Sequence, residues 1–205
     1  MKKLYRYGSL FSGAGSKDIG AEQAGFTKLF SVENNSHAHL CLEKNWNGVT
    51  NFLDILKVTP DEIKQVMAGD LDLLALSPPC VGFSLANPCR DPGNPHNDLT
   101  FKAIPLIDAI NPKVFVIENV PGMMTGKMKD SFERIKEKLR RLGYICQGKV
   151  MNSLHYGVPQ WRDRVIIVGV RDDLQGDFVY PEPDLKGVMQ LRMLDVLPHI
   201  EAFKR

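Results

Sequence analysis

Short apolar runs alternate with amphipathic stretches along most of this 205-residue chain. Two of the runs, Leu71–Ser77 and Val114–Glu118, are nearly all apolar, which is typical of strands that are covered on both faces. Strands that alternate with helices in this way predict an α/β fold with a mostly parallel central sheet and helices on both faces. The predicted strands are Tyr7–Ser12, Leu29–Glu33, Leu71–Ser77, Val114–Glu118 and Val165–Val170.

The amphipathic stretches predict five helices. In the last of them, Phe132, Ile135, Leu139 and Leu142 recur at helical spacing, and the other positions are rich in Lys and Arg. We interpret the basic side as a solvated outer face, with contact to phosphate as the alternative. The predicted helices are Asp18–Ala24, His37–Lys44, Pro60–Ala68, Leu99–Ile110 and Asp130–Leu142.

The composition is that of an ordinary globular protein with a small net charge. Hydrophobic residues make up 43% of the chain, and the formal net charge is +2. Many nucleic-acid-binding proteins are more basic, because phosphate contacts supply much of their affinity, so this charge permits such a partner without indicating one. The chain has no signal-peptide pattern and no apolar run of membrane length. We therefore expect a cytoplasmic protein whose four cysteines are free thiols.

A glycine-containing turn follows the first predicted strand. Residues 10–15 read LFSGAG, and glycines at a strand-to-helix turn let the backbone approach a ligand closely. The third glycine of the dinucleotide-binding fingerprint is absent. Glu33 ends the second predicted strand, where an acidic residue can hydrogen-bond ribose hydroxyls. Together the two features favour an adenosine-type cofactor over a turn that serves packing alone.

Cys80 lies directly after the most apolar strand, in the sequence SPPCVGFS. The carboxyl ends of parallel strands are where such sheets bind ligands and react. A buried and inert thiol is the usual alternative for a cysteine, and we prefer a reactive thiol for Cys80 because a strand end with two preceding prolines is a poor place to bury one. Cys41 and Cys146 stand among apolar residues and are expected to be inert, and no role is predicted for Cys89.

Two further candidate sites flank predicted strands. Glu118 ends an apolar run, where loss of solvation suits a carboxylate to hold or deliver a proton, and a simple capping role is the alternative. Arg162 and Arg164 are two residues apart, so on extended backbone their side chains point the same way. Two guanidinium groups on one face predict a site for a phosphate or a carboxylate, whereas a surface ion pair would explain either one alone.

In this order, the motifs resemble those of the DNA cytosine-C5 methyltransferase family. The resemblance covers about Leu10 to Val170, and its most specific elements are Pro78–Cys80 (PPC) followed by Glu118–Val120 (ENV). It implies a Rossmann-like S-adenosylmethionine-dependent methyltransferase fold, with residues 1–175 as the catalytic and cofactor-binding core. The other matching residues are Phe11–Gly15 (FSGAG), Glu33, Asp54, Gln160, Arg162 and Arg164.

The resemblance implies a role for each matching residue and does not imply a metal. The catalytic residues would be the nucleophile Cys80 together with Glu118, Arg162 and Arg164. The residues that would bind S-adenosylmethionine are Phe11, Ser12, Gly13, Gly15, Glu33 (at the ribose), Asp54 (at the adenine amino group) and Pro79. The residues that would contact the substrate are Ser84, Asn119, Val120 and Gln160.

The implied reaction explains these residue types. C5 of cytosine is a poor nucleophile, and addition of a thiolate at C6 turns the ring into an enamine with electron density at C5. A thiolate is suited to this step because it is nucleophilic and can also leave again. Glu118 would relieve the charge that develops at N3 during the addition. Double-stranded DNA would have to present a flipped cytosine, and residues 82–98, rich in Pro, Gly and Asn, predict a loop that closes over it.

The chain departs from the family pattern in single residues and in extent. Ser16, Val81 and His96 stand where a glycine, a glutamine and an arginine are usual. Family members continue into a target-recognition region and a final segment that completes the cofactor pocket, whereas residues 176–205 resemble only the lead-in to that region. We therefore expect one half of a two-chain enzyme, with a second chain supplying target recognition, or a truncated copy.

Two other functions are compatible with the sequence. One branch of the family acts on tRNA, so a tRNA cytosine-C5 methyltransferase is an alternative. A non-catalytic remnant that binds the cofactor or a partner chain is another. The presence of Cys80, Glu118, Arg162 and Arg164 argues against a remnant, and the missing half argues for it. We favour an active catalytic core.

Overall fold

The computed structural model describes residues 4–79, 98–125, 129–174 and 178–184. Seven strands form one sheet, and their bounds are β1 (Tyr5–Leu10), β2 (Phe26–Val32), β3 (Thr50–Phe52), β4 (Leu73–Leu76), β5 (Val114–Asn119), β6 (Tyr144–Asn152) and β7 (Asp163–Arg171). The spatial order is β3-β2-β1-β4-β5-β7-β6, in which β1 to β5 are parallel and β7 is antiparallel to both of its neighbours. The mostly parallel sheet predicted from the sequence is therefore confirmed.

Five helices connect the strands, and each begins and ends within two residues of its predicted bounds. Thr59 caps the third helix with a reciprocal capping box to Glu62, and Pro60 takes the first helical position, where its missing N–H costs nothing. The helices are α1 (Ser16–Gln23), α2 (Ser36–Asn45), α3 (Pro60–Met67), α4 (Asp98–Ile110) and α5 (Lys129–Arg141). None of the helices in the described part of the chain is long and apolar enough to cross a membrane.

Two strands were not predicted, and both lie at the edges of the sheet. β3 has only three residues, too few for a periodic signal. β6 carries polar residues between apolar ones, and its Ile145 and Val150 are exposed. An edge strand is partly open to solvent and needs no continuous apolar run, so hydrophobicity alone does not reveal it.

A register shift in β2 places the side chains of Lys28 and Phe30, which are two positions apart, on opposite faces of the sheet. Tyr7 pairs with Lys28 but Gly8 pairs with Phe30, so Leu29 has no partner in β1. Phe30 therefore joins the main core and lies against Gly8, where a Cβ would collide with its ring. Lys28 faces the other side, where its Nζ lies 3.1 Å from the Asp18 carboxylate of α1.

The main core lies on the face of the sheet that α3, α4 and α5 cover. Its strand residues come from alternate positions of the central strands, as expected when side chains alternate across a sheet. α1 packs against β2 on the opposite face. Helices on both faces are thus confirmed. The strand and helix residues of this core include Leu10, Phe30, Leu74, Leu76, Phe115, Ile117, Ile63, Ile107, Ile135 and Leu139.

The candidate active site

The chain passes from β1 to α1 through a turn with three positive φ angles. They belong to Phe11 (53°), Gly13 (57°) and Gly15 (94°). Gly15 is the N-cap of α1, and a Cβ at this position would collide with the ring of Trp46. The hydroxyl of Ser12 is buried and lies 2.6 Å from that of Ser9, and this hydrogen bond ties the turn to the end of β1. The predicted glycine turn is thus a preset bend in the backbone that any ligand above it would meet.

Glu33 joins the end of β2 to this turn. Its Oε2 accepts the backbone N–H of Gly13 at 2.6 Å, and its Oε1 accepts that of Asn35 at 2.7 Å. The N–H of Glu33 itself donates to the main-chain oxygen of Phe52 at 2.9 Å. The carboxylate is nearly buried and held on both oxygens, so its position is set before any ligand arrives. The two sequence features that predicted an adenosine site are therefore in direct contact.

A cavity of about 320 Å³ lies on one side of Phe11. It is mostly apolar, and two carboxylates, those of Glu33 and Asp54, enter it from separate loops. Oδ1 of Asp54 accepts the N–H of Leu56 at 2.9 Å, which orients the carboxylate. Apolar walls with a few fixed polar groups suit a flat heteroaromatic ring joined to a sugar. The lining residues are Phe11, Val32, Glu33, Asn34, Asp54, Ile55, Leu56, Pro79 and Leu99.

A second cavity, of about 690 Å³, lies on the other side of Phe11. Glu118 and Arg162, both predicted to be catalytic, line it together. Half-buried apolar residues of the central strands form much of its wall, among them Leu73, Val116 and Ile166. The two cavities share the lining residue Phe11, so they adjoin at this residue.

Arg164 makes an ion pair with Glu118. Its Nε lies 2.8 Å from Oε1 of the carboxylate, and the two side chains are 25% and 34% exposed. The pair forms because β5 and β7 are antiparallel neighbours, with Glu118 opposite Ile166. Arg162 lies just before β7 and lines the second cavity together with Glu118. Arg164 therefore contacts Glu118 and Arg162 lines a cavity with it, while the shared binding role of the two arginines stays a prediction.

Asn119 connects the end of β5 to the segment that leads to Cys80. It is 2% exposed, its side-chain nitrogen donates to the main-chain oxygen of Pro78 at 3.4 Å, and its side-chain oxygen accepts the N–H of Val120 at 2.8 Å. Pro78 lies two residues before Cys80, so Asn119 holds the backbone on which the predicted nucleophile is carried. Cys80 itself, Ser84, Val81, Cys89, His96 and all of the predicted closing loop except Asp98 lie outside the described residues.

Gln160 stands apart from the other predicted substrate residues. It is exposed in the turn before β7, and its main-chain oxygen accepts the hydroxyl of Ser153 at 2.6 Å. It is not among the described residues that line the two cavities. Its assignment to the substrate stays a prediction.

Lys17 is a residue of the site that the sequence patterns did not single out. It lies in the first turn of α1, lines the second cavity, and donates from Nζ to the main-chain oxygen of Phe11 at 2.6 Å. Burial lowers its pKa to about 8, although the carboxylates of Asp18, Glu118 and Glu33 oppose that shift. One lysine at the start of a helix has no sequence signal of its own, because only the fold places it in the wall of the second cavity beside Phe11.

The two described cysteines differ from each other. Burial raises the pKa of the Cys146 thiol to about 11, which fits the expected inert side chain. Cys41 is exposed on α2, so the apolar surroundings expected for it are wrong: the flanking apolar residues of α2 do not enclose it. Among the described residues, no group of three His, Cys, Asp or Glu side chains could hold a metal ion.

Residues 178–184, at the start of the predicted C-terminal extension, contact the core. The hydroxyl of Tyr180 donates to the main-chain oxygen of Ile166 in β7 at 2.8 Å, and the N–H of Asp184 donates to that of His155 at 2.9 Å. The boundary predicted after residue 175 stays a prediction.

The chain is similar to known proteins over most of its length. The family model described as C-5 cytosine-specific DNA methylase matches residues 5–198. The chain is 34% identical over 190 residues to the type II methyltransferase M.MthTI of Methanothermobacter thermautotrophicus, covering 93% of this chain and 56% of that protein. It is 35% identical over 181 residues to M.HaeII of Haemophilus aegyptius, covering 88% and 54%. With M.AquIA of Picosynechococcus it shares 34% identity over 200 residues, which cover 92% and 80%.

Solved structures show the same fold. A prophage-encoded DNA modification methyltransferase from E. coli superposes with a TM-score of 0.75 at 26% identity, covering 85% of this chain and 49% of that one. The DNMT2 mutant of Spodoptera frugiperda superposes with a TM-score of 0.69 at 22% identity, covering 88% and 56%, and this likeness concerns the fold alone. The chain spans about half the length of most of the curated relatives it matches.

Proposed function

Because this chain belongs to the C-5 cytosine-specific DNA methylase family, we propose that it is the catalytic core of an enzyme that methylates C5 of cytosine in DNA. The observation that carries this proposal is the pair of cavities that meet at Phe11. One holds the fixed carboxylates of Glu33 and Asp54, and the other holds Glu118 and Arg162. This arrangement suits an adenosine-type methyl donor on one side and a reacting base on the other.

The first cavity fits the adenosine part of S-adenosylmethionine. Glu33 is positioned to accept hydrogen bonds from the ribose hydroxyls, since both of its oxygens keep free lone pairs beside their bonds to backbone N–H groups. Asp54 is the candidate acceptor for the adenine amino group, and Phe11, Pro79 and Gly13, which line one or both cavities, shape the proposed passage to the second cavity. When bound, the cofactor supplies an electrophilic methyl group.

The second cavity supplies the groups that act on cytosine. The thiolate of Cys80 adds to C6, and the electron pair displaced from the C5–C6 bond makes C5 nucleophilic. Glu118 contacts N3 and the exocyclic amine, and shares a proton with N3 while negative charge develops there. Arg164 holds the Glu118 carboxylate through the 2.8 Å contact, and Arg162 approaches it from the cavity wall. After the methyl group reaches C5, a base removes the C5 proton, and the C6–sulfur bond breaks to restore the aromatic ring and the thiolate.

The target base must leave the DNA stack to reach this site. C5 and C6 of a cytosine stacked inside a duplex are not accessible to an enzyme's side chains, so the cytosine is presented flipped, at a cost of a few kcal/mol. Asn119 contributes by holding the backbone before Cys80. The Gly82–Asp98 segment is the candidate for closing over the base.

Target recognition is proposed to come from protein outside this core. The relatives matched over 46% to 56% of their length have roughly half of their chain outside the match. M.AquIA, matched over 80% of its length, is a relative of nearly this size. The half-buried apolar residues Leu73, Val116 and Ile166 offer such a segment a surface to complete the pocket. We propose a second chain as its source.

Covalent trapping tests the proposed function. The chain, alone and with candidate second chains, is incubated with S-adenosylmethionine and duplex DNA containing 5-fluorocytosine, which cannot lose the group at C5. We expect a methylated protein–DNA adduct that resists denaturing electrophoresis and maps to Cys80. A tRNA carrying 5-fluorocytosine is the matched alternative substrate. Trapping of the tRNA but not of the DNA would establish the RNA reaction instead, and cofactor binding without any adduct would identify a remnant.

A further inference from the structure

We propose that Lys17 binds the carboxylate at the amino-acid end of the cofactor and so makes the protein discriminate against nucleoside sulfonium compounds that lack it. The inference rests on the proposed function, because it takes S-adenosylmethionine as the cofactor.

The first step is where the amino-acid end must lie. The adenosine part occupies the cavity with Glu33 and Asp54, and the methyl group must reach the cavity with Glu118. The sulfonium centre carries both the methyl group and the amino-acid chain, so that chain also extends past Phe11. It therefore enters the second cavity beside the glycine turn, where Ser16 and Lys17 of α1 form the wall.

The second step is the distribution of charge in that cavity. The cations among its described lining residues are Lys17 and Arg162. Arg162 lies by β7 beside the Arg164–Glu118 pair, on the side proposed for the base. Lys17 lies on the side of the glycine turn, since its Nζ is bonded to the main-chain oxygen of Phe11. A carboxylate that passes Phe11 meets Lys17 first.

The third step is that the ammonium group of Lys17 is not committed to a counterion. Its hydrogen-bond acceptor is a neutral carbonyl oxygen, and no carboxylate in the described ranges comes within ion-pair distance of it. An ammonium has three N–H donors, so two remain for a ligand. A buried cation without a counterion is costly, and a ligand carboxylate would offset that cost.

The start of α1 adds a second attraction for an anion at the same place. The N-cap is Gly15, which has no side chain to cap the helix, and the described residues supply no side-chain bond in its stead. The first-turn N–H groups of α1 and the helix dipole favour negative charge there. Lys17 stands in that first turn, so its charge and the backbone dipoles converge on one region of the cavity.

A purely structural role for Lys17 is the competing explanation. In that case the bond to Phe11 would only hold the turn in place. The two roles differ in what they predict for a ligand without a carboxylate. A structural lysine affects every ligand of the turn equally, whereas a carboxylate-binding lysine affects only ligands that carry the carboxylate.

The test measures the dissociation constants of S-adenosylmethionine and decarboxylated S-adenosylmethionine by calorimetry for the 205-residue chain and for Lys17→Met and Lys17→Arg. We expect the unchanged chain to bind S-adenosylmethionine about 10- to 100-fold more tightly, the ordinary worth of a charge-assisted hydrogen bond. Lys17→Met should bind the two ligands within about threefold of each other, and Lys17→Arg should keep part of the preference.

Three outcomes would overturn the inference, and one of them also concerns the proposed function. Equal affinity of the unchanged chain for both ligands overturns it without reference to any variant. Equal weakening of both ligands by Lys17→Met shows a structural role and overturns it as well. Failure of the unchanged chain to bind either ligand, both alone and with the candidate second chains, would refute the proposed cofactor site and the inference together, whereas the first two results leave the methyltransferase proposal standing.

Discussion

Nε of Arg164 lies 2.8 Å from Oε1 of Glu118, although the two residues are 46 positions apart in the chain. The pairing of β7 with β5 brings them together at the end of the sheet where the two cavities meet. Both side chains are about one quarter to one third exposed, so solvent screens the pair and limits its worth to stability. Its consequence is the fixed orientation of a carboxylate that faces the proposed target base.

Replacing Arg164 by methionine should therefore impair the reaction far more than the fold. We expect the single-turnover rate of methyl transfer to fall about 10- to 1,000-fold, because Glu118 loses the group that orients it. The free energy of unfolding should change by less than about 1 kcal/mol. Rapid-quench assays and urea unfolding measure the two quantities. The control is Arg141→Met, which removes the exposed Arg141–Glu137 pair of α5 and should leave the rate unchanged. Equal rates in both variants would contradict the proposed site.

Changing Cys80 to serine should abolish methylation and covalent trapping while leaving cofactor affinity within about twofold. A hydroxyl is a far weaker nucleophile than a thiolate at neutral pH, and the proposed cofactor contacts do not involve the sulfur. Electrophoresis of the 5-fluorocytosine adduct and calorimetry with S-adenosylmethionine check the two expectations. Cys146→Ala serves as the matched control, because that half-buried thiol has its pKa raised to about 11 by loss of solvation. If the adduct persisted in Cys80→Ser and disappeared in the control, Cys80 would not be the nucleophile.

Replacing Glu33 by glutamine should weaken cofactor binding about tenfold or more. Each carboxylate oxygen accepts a backbone N–H, from Gly13 at 2.6 Å and from Asn35 at 2.7 Å. A glutamine would turn an NH₂ group toward one of these N–H donors and disturb the turn, at a cost of about 1–3 kcal/mol. Calorimetric titration with S-adenosylmethionine measures the affinity, and Glu137→Gln on the exposed face of α5 is the control. Unchanged affinity in Glu33→Gln would remove Glu33 from the cofactor site.

Adding a methyl group at Gly15 should destabilise the protein by about 2–4 kcal/mol. Its φ of 94° disfavours a side chain, and the new Cβ would collide with the ring of Trp46. The matched control is Gly20→Ala in the same helix, where nothing lies within 4 Å of the new Cβ. That change should stabilise the helix by up to about 1 kcal/mol. Urea unfolding followed by circular dichroism gives both values, and similar effects of the two variants would refute the packing argument.

The affinity for S-adenosylmethionine should decline above pH 8, where Lys17 loses its proton. The pKa of this lysine is lowered to about 8 in the folded chain, and the neutral amine cannot pair with a carboxylate. Between pH 7 and 9 the dissociation constant should rise severalfold in the unchanged chain. In Lys17→Met it should follow only the titration of the ligand's own amine, so the difference between the two profiles isolates Lys17. Parallel profiles would contradict its proposed role.

The lowered pKa of Lys17 should make the stability of the fold rise with pH, whereas the affinity for the cofactor falls. The folded chain binds the Lys17 proton less tightly than the unfolded chain does, so raising the pH from about 8 to about 10.5 should remove a cost and stabilise the fold. The affinity thus falls while this contribution to stability rises. Thermal unfolding of Lys17→Met beside the unchanged chain over this range tests the sign.

Local patterns predicted most of the elements that carry the site. Leu71–Ser77 and Val114–Glu118 correspond to β4 and β5, central strands whose side chains are buried or half-buried on both faces, and an apolar run of this kind can be read from the local sequence. The edge strands β3 and β6 were not predicted, because an edge strand needs no continuous apolar run. The glycine turn and Glu33 were predicted to share a site, and the bond between Gly13 and Glu33 joins them.

By itself, the sequence determined the order of five strands and five helices, the glycine turn and the family to which the chain belongs, because these depend on residue type and spacing along the chain. The tertiary structure decided which side chains meet. The unpaired Leu29 turns Lys28 away from the core, the antiparallel pairing of β5 and β7 joins Arg164 to Glu118, and the start of α1 brings Lys17 beside Phe11. Such contacts depend on strand register and on the direction of β7, which long-range packing sets and no local pattern encodes.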